Sequence, residues 1–295
     1  MPEGKIIKAL SGFYYVQNNE NEELIQCRGR GVFRKNKVTP LVGDHVVYQA
    51  ENETDGYILE VLERKNELVR PPIANVDQAI LVFSAMKPDF SPLLLDRFLV
   101  LVESNDIKPI ICISKTDLIS DDVFQKIEEY ARIYREVGYQ VLLTSTKDRE
   151  GQEALLPLLE NQISVFAGQS GVGKSSLLNT LRPDLELKTD EISNSLGRGK
   201  HTTRHVELIK VGNGLVADTP GFSSLEFLTI ELDELSYCFP EIYDAGANCK
   251  FRGCTHISEP KCAVRQEVEE GKITQFRYDH YVSFYEEIKE RKPRY

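Results

Sequence analysis

Residues 168–175 read Gly168-Gln169-Ser170-Gly171-Val172-Gly173-Lys174-Ser175, which fits G-x-x-x-x-G-K-[ST], the phosphate-binding P-loop. The context fits as well. Ile163–Ala167 reads as a short buried strand, and Ser176–Leu181 as the first turns of a helix. A loop between the two points backbone N–H groups at an anion and adds the positive end of the helix dipole. Lys174 is placed to reach the terminal phosphates, and the Ser175 hydroxyl to sit on Mg²⁺. The motif calls for phosphate and leaves the base open.

Working outward, Gln78–Ser84 and Lys108–Ser114 are continuous apolar runs, as strands buried on both faces require. Helical patterns over Leu93–Asn105 and Asp121–Val137 separate them from a third strand, Tyr139–Thr144, and a helix is expected over Gly151–Glu160. This alternation predicts a parallel, doubly wound α/β sheet. After the P-loop helix come His205–Val211 and Leu215–Ala217, joined by the turn Gly212-Asn213-Gly214, which predicts one antiparallel edge in a sheet of about six strands.

Residues 1 to 68 carry a different pattern. Gly4–Leu10, Gly12–Gln17, Glu23–Arg28, Asp44–Ala50 and Gly56–Leu62 read as short strands between turn residues. Five such strands suggest a small closed barrel, of the OB-fold type with an SH3-like barrel as rival. Arg28–Lys37 holds five positive charges, no acid and Phe33, so it is either a solvated hairpin or a phosphate-contact loop with a ring free for stacking. Glu63–Asp77, with Pro71-Pro72, reads as a linker.

The whole chain has 295 residues, 41% hydrophobic and 28% charged, the composition of an ordinary globular protein of two or three domains. No run of about 18 apolar residues occurs, so no membrane partner is expected. The N-terminal MPEGKIIKAL lacks the h-region of a signal peptide, and a cytoplasmic location is the expectation. A net charge of −10 argues against coating the whole surface with nucleic acid, while leaving room for local basic patches.

Two segments point to guanine. Ser114-Lys115-Thr116-Asp117 ends a buried strand, where α/β sheets place ligands. Guanine offers two adjacent N–H donors, and one carboxylate, Asp117, can accept both while the Lys115 stem lies along the purine. These residues resemble the N-K-x-D or T-K-x-D motif of GTPases, with Ser114 where Asn or Thr is usual. Ser145 and Thr146, one strand later, resemble the loop that meets the guanine oxygen. Asp218-Thr219-Pro220-Gly221 matches D-x-x-G, with Asp218 expected to hold Mg²⁺ through water and the Gly221 N–H to sense the γ-phosphate. Gly199–His205 resembles the switch whose threonine binds Mg²⁺ and γ-phosphate. Thr203 is the candidate, with Thr202 beside it.

Near the C-terminus, Cys249-x4-Cys254-x-His256-x5-Cys262 gathers three thiols and one imidazole, a closed tetrahedral set for one structural Zn²⁺. Cys27, Cys112 and Cys238 read as core residues. Tyr278, Tyr281, Val282, Tyr285 and Ile288 recur at helical spacing and predict a packing stripe.

The base-reading motifs precede the P-loop, whereas ordinary GTPases run in the opposite order. This permuted order, with an N-terminal barrel and a C-terminal Cys/His cluster, resembles the circularly permuted, ribosome-small-subunit-dependent GTPases called RsgA, also YjeQ or YloQ. The expected fold is therefore multidomain. It comprises an OB-fold barrel over 1–68 and a circularly permuted α/β P-loop GTPase domain over 69–228. A C-terminal α-helical zinc-binding domain follows over 229–295. The resemblance implies GTP and GDP as substrate and product, and Mg²⁺ and one Zn²⁺ as metals. It also implies the small (30S) ribosomal subunit with its 16S rRNA as partner, and action late in that subunit's maturation. A monomer is expected. The nucleotide set is Ser114–Asp117, Ser145, Thr146, Gly168–Ser176, Asp218 and Gly221, and the magnesium set is Ser175, Thr203 and Asp218. Phe222 stands where many GTPases have a water-orienting glutamine, and a phenyl ring cannot polarise water. His201 is the candidate for that task, with Thr203 and Lys174 as the other catalytic candidates. Two other classes stay open, a P-loop ATPase or kinase without guanine preference, and a zinc-dependent RNA-binding module with a vestigial nucleotide site.

Overall fold

The computed structural model describes residues 1–31, 33, 38–69, 71–145, 151, 153–181, 206–217 and 225–291. Five strands open the chain: β1 (Glu3–Leu10), β2 (Phe13–Asn18), β3 (Leu24–Gly29), β4 (His45–Ala50) and β5 (Gly56–Val61). Each alternates inward apolar residues with polar ones, and Ile6, Val16, Cys27, Val46 and Ile58 meet in the interior. The order β1-β2-β3-β5-β4, closed by β1 pairing with β4, is that of a five-stranded OB-type barrel.

One strand serves two sheets. Glu3–Lys5 of β1 pairs with β4, while Lys8 and Ala9 pair antiparallel with β12 (Val206–Val211). A bulge between Ile6 and Lys8 accompanies this change of partner. The Lys8–Glu207 ion pair, 2.9 Å, lies across the junction. The antiparallel edge expected from the Gly212–Gly214 turn is therefore present but covered by the barrel.

The second sheet runs β10 (Gln140–Leu143), β9 (Lys108–Ser114), β8 (Gln78–Ser84), β11 (Ile163–Ala167), β13 (Gly214–Ala217), β12. Every pair is parallel except β12–β13. β8 and β11 are buried along their whole length, as the continuous apolar runs require. The expected linker over Glu63–Asp77 needs correction. It contains a short hairpin, β6 (Glu67–Val69) with β7 (Pro72–Ala74). Asn66 and Val76 brace the hairpin through bonds in both directions, each 2.9 Å. Arg64 ties the segment to the barrel by gripping the fully buried Asp44 at 2.7 and 2.8 Å. Of the helix expected over Gly151–Glu160, Gly151 and Glu153 are helical and, after a turn, α3 spans Leu156–Leu159, while residues 146–150 and 152 lie outside the described set.

Helix α1 (Pro92–Glu103) starts on Ser91, whose hydroxyl accepts the Leu94 N–H, with proline at the first turn. It is buried on two sides. Leu95, Phe98, Leu99 and Val102 face the sheet, whereas Val100 and Leu101 enter a second core. That core is formed with α5 (Pro240–Gly246), α6 (Ala263–Glu269) and α7 (Gln275–Lys289). Helix α2 (Asp121–Val137) ends on Gly138 in the left-handed region.

One reading from charge is corrected, and the packing stripe read from periodicity is present and wider than expected, because Arg277 and Phe284 join it. Phe33, in the basic run, is 8% exposed and part of the barrel core, so its ring is not free for stacking. The buried stripe of α7 is Arg277, Tyr281, Phe284 and Ile288, with Tyr278, Val282 and Tyr285 half-buried beside it. Arg277 is enclosed because Asp96 of α1 accepts from it at 2.6 Å and Glu241 of α5 at 2.6 and 3.0 Å.

Candidate nucleotide and metal sites

The P-loop emerges from β11 into α4 (Lys174–Leu181). Gly168 has φ +142°, and a Cβ there would fall 2.0 Å from the Val82 carbonyl oxygen, so only glycine lets the loop cross β8. Gly173, with φ +102°, turns the chain into the helix, and its carbonyl accepts the Leu177 N–H at 2.9 Å. Lys174 folds back over the loop and donates to the carbonyls of Gly168 at 2.9 Å and Gln169 at 2.6 Å. Burial lowers its pKa to about 8. Ser175 is buried beside it.

The loop after β9 is fastened to the P-loop. Ser114 Oγ lies 2.5 Å from the Val172 carbonyl and 3.1 Å from that of Phe83, and its single proton can serve either. The shorter hydroxyl at 114 thus still reaches the P-loop. Lys115, itself at φ +60°, donates to the carbonyls of Gly171 at 2.7 Å and Lys87 at 2.5 Å. Its stem therefore runs between two loops, where a planar base could lie along it. Thr116 bonds the Thr144 carbonyl through both N–H, 3.3 Å, and hydroxyl, 3.1 Å, which joins the β9 and β10 loops. Asp117 follows in a 3₁₀ turn, with both carboxylate oxygens shielded from solvent, and Ser145 is buried after β10.

These contacts bring residues 114–117, 144–145 and 168–175 to one end of the sheet. The chain leaves β13 at that same end, because β13 is parallel to β11. Thr146, His201, Thr202, Thr203, Asp218, Gly221 and Phe222 lie outside the described residues.

Cys249, Cys254, His256 and Cys262 form a second centre, with all ligand atoms within 4.8 Å of one another. Sγ of Cys249 and Cys262 are 3.8 Å apart, and their distances to His256 Nδ1 are 3.6 and 3.5 Å. A tetrahedral ion with Zn–S of about 2.3 Å and Zn–N of about 2.05 Å requires S···S near ~3.8 Å and S···N near ~3.5 Å. The donor set therefore fits zinc in spacing as well as in chemistry. Cys27, Cys112 and Cys238 are buried away from it, and burial pushes their thiols up to about 11, 11 and 12.

Sequence reasoning missed what holds the metal loop. The hydroxyls of Tyr278 and Tyr281, read only as packing residues, donate to the carbonyls of His256 at 2.7 Å and Thr255 at 2.9 Å. Their spacing on α7 was the available signal.

Comparison with known proteins agrees over the whole chain. The model of the RsgA GTPase family matches residues 61–228, and that of the RsgA N-terminal domain matches residues 3–58. A protein of Bacillus cereus (strain ATCC 14579) is 70% identical over 295 residues, covering 100% of both chains, and bears the name small ribosomal subunit biogenesis GTPase RsgA. One of Bacillus subtilis (strain 168) with the same name is 65% identical over 298 residues, again covering 100% of both. Among solved structures, YloQ, described as a circularly permuted GTPase, superposes with TM-score 0.87 at 61% identity, covering 100% of this chain and 97% of that one. YjeQ from Thermotoga maritima superposes with TM-score 0.88 at 39% identity, covering 99% of each.

Proposed function

The chain belongs to the RsgA GTPase family, and on that premise we propose that it is a GTP hydrolase of small ribosomal subunit biogenesis. The observation that carries the nucleotide part is the junction of the base and phosphate loops. Ser114 and Lys115 bond carbonyls of the P-loop across more than fifty positions of sequence, so one ligand can touch both.

In this reading Asp117 accepts the two guanine N–H groups, Lys115 flanks the ring, and Ser145 and Thr146 meet the guanine oxygen. Residues Gly168–Ser176 wrap the phosphates. Lys174 leaves the carbonyls of Gly168 and Gln169 for the phosphate oxygens, exchanging two neutral acceptors for a charged one. Ser175, Thr203 and Asp218 would hold Mg²⁺, which neutralises charge on the phosphate oxygens when bound. Gly221 senses the γ-phosphate. With Phe222 in the glutamine position, His201 orients the attacking water once the partner is engaged. Cys249, Cys254, His256 and Cys262 hold a structural Zn²⁺, which supplies cross-linking rather than chemistry.

The unit boundaries we propose are 1–68, 69–228 and 229–295. The partner is the small (30S) subunit through its 16S rRNA, and the chain acts as a cytoplasmic monomer. No helix among the described residues is long and apolar enough to cross a membrane. The test is GTP turnover with and without purified small subunits. Slow hydrolysis alone and marked stimulation by the subunit are expected, whereas equal rates refute the partner. His201→Ala should abolish the stimulation while leaving GDP binding intact. Full stimulated turnover in that variant removes the assignment of His201.

A further inference from the structure

We infer that Glu259 is a positioning residue for the Cys249, Cys254, His256 and Cys262 cluster, its carboxylate building the turn that aims the His256 ring at the sulfurs. The inference rests on the metal reading proposed above. Glu259 Oε1 accepts the N–H and the hydroxyl of Thr255, each at 2.7 Å. Oε2 accepts the N–H groups of Ile257 and Ser258, each at 3.2 Å. The amides on either side of His256 thus converge on one side chain, while the His256 N–H itself bonds the Cys254 sulfur.

That convergence has a geometric result. His256 adopts φ +63°, a left-handed conformation that L-residues rarely take without support. Held left-handed, its Nδ1 faces Cys249 and Cys262. The carbonyl side is fixed independently by the Tyr278 and Tyr281 hydroxyls. With donors and acceptors of the turn both satisfied by protein groups, the histidine is preset before any ion arrives. Burial alone would raise the Glu259 carboxyl, but the bonds from Thr255, Ser258 and its own amide bring it down to about 2. It is therefore an anion, acceptor-only, at every pH where the thiols bind metal.

The experiment uses the full chain, stripped of metal, as parent, Glu259→Gln and Glu259→Asp. Gln keeps the length but turns an NH₂ toward amides that need an acceptor; Asp keeps the charge but is one methylene short. Zinc affinity is measured by competition with a chelator, and Co²⁺ serves as a spectroscopic probe of the ligand field. Loss of such an outer partner typically weakens metal binding about 10–100-fold. We expect that loss for Glu259→Gln and a smaller one for Glu259→Asp, with an altered cobalt band and unchanged far-ultraviolet dichroism of the metal-free chains. Variants that bind zinc within about twofold of the parent, with the parent's cobalt band, overturn the assignment. A metal-free Glu259→Gln chain that has lost the α6 and α7 helices also overturns it, since the role is then general folding. A parent that takes up no zinc refutes the metal reading itself, a result distinct from either.

Discussion

Replacing Arg277 with methionine tests how the C-terminal helices are held to the nucleotide-binding sheet. The guanidinium is 1% exposed and makes three hydrogen bonds to two carboxylates, one from Asp96 of α1 and a fork from Glu241 of α5. It also stacks on Phe239 at 4.6 Å. Breaking a buried ion pair by removing one partner typically costs about 3–5 kcal/mol, because the remaining charge is stranded. The structure moderates that here. Asp96 keeps the Tyr134 hydroxyl at 2.7 Å and His280 Nδ1 at 2.6 Å, and Glu241 is 12% exposed, so water can reach it. Methionine also refills most of the space. We therefore expect the lower end, about 3 kcal/mol, a factor of roughly 150 in the local unfolding equilibrium. The chain has no tryptophan, so urea titrations follow tyrosine fluorescence, with hydrogen exchange in α7 locating the loss. Asp96→Asn and the double variant complete a cycle. The double variant should cost less than the sum of the singles, by about 1–3 kcal/mol. A loss under about 1 kcal/mol for Arg277→Met, or strict additivity, refutes the view that this network joins the two parts.

Nucleotide affinity should depend on pH through Lys174. Its pKa is lowered to about 8 by burial, and a phosphate partner raises it again, so binding takes up a proton above pH 8. Affinity is thus fully present below that value and lost as pH rises through it, by about tenfold between pH 7 and pH 9; a Lys174→Arg chain measured alongside should lack the slope. Asp117→Asn should exchange GDP for XDP preference in thermal-shift assays, and retained GDP preference would falsify the role given to Asp117. Ser114→Ala removes the tie to the Val172 carbonyl, worth about 1 kcal/mol, and should weaken GDP roughly fivefold with the fold unchanged; undiminished affinity rules the tie out as a contributor.

Much of this was legible because chemistry constrains spacing. A phosphate cradle needs its glycines next to its lysine, and a tetrahedral metal needs four donors close together, so both appear as short patterns. The barrel strands and the parallel sheet follow from apolar alternation and apolar runs of the right length. What was not legible is long-range. Nothing local in Lys8 or Glu207 announces that β1 will pair with β12, since both strands look complete within their own sheets. Pro71 and Pro72 suggested a linker, yet Pro72 sits in a hairpin too short to need its N–H. Hydropathy placed Arg277 outside the stripe of α7, and only the two carboxylates supplied by distant helices make its burial tolerable. Phe33 was read by its basic neighbours rather than by the cavity it fills.

The pairing of β1 with β12 has a consequence for synthesis. Lys8 leaves the ribosome about two hundred residues before Glu207. At roughly 5–20 residues per second the gap is on the order of 10–40 s. During that interval the barrel can close through β4, and β8, β9, β10 and β11 can align, but the two edges that β12 and β13 later cover, one at Lys8–Ala9 and one along β11, stay bare. The β12–β13 hairpin is the keystone that fills both at once. Until it arrives, the nascent chain carries unsatisfied backbone at both edges, the feature that recruits stray strands. The permuted order of motifs therefore sets a schedule. β9 and β10, whose loops carry residues 114–117 and 144–145, leave the ribosome before residues 168–175 and the β12–β13 hairpin, and the insertion that joins barrel to sheet comes late.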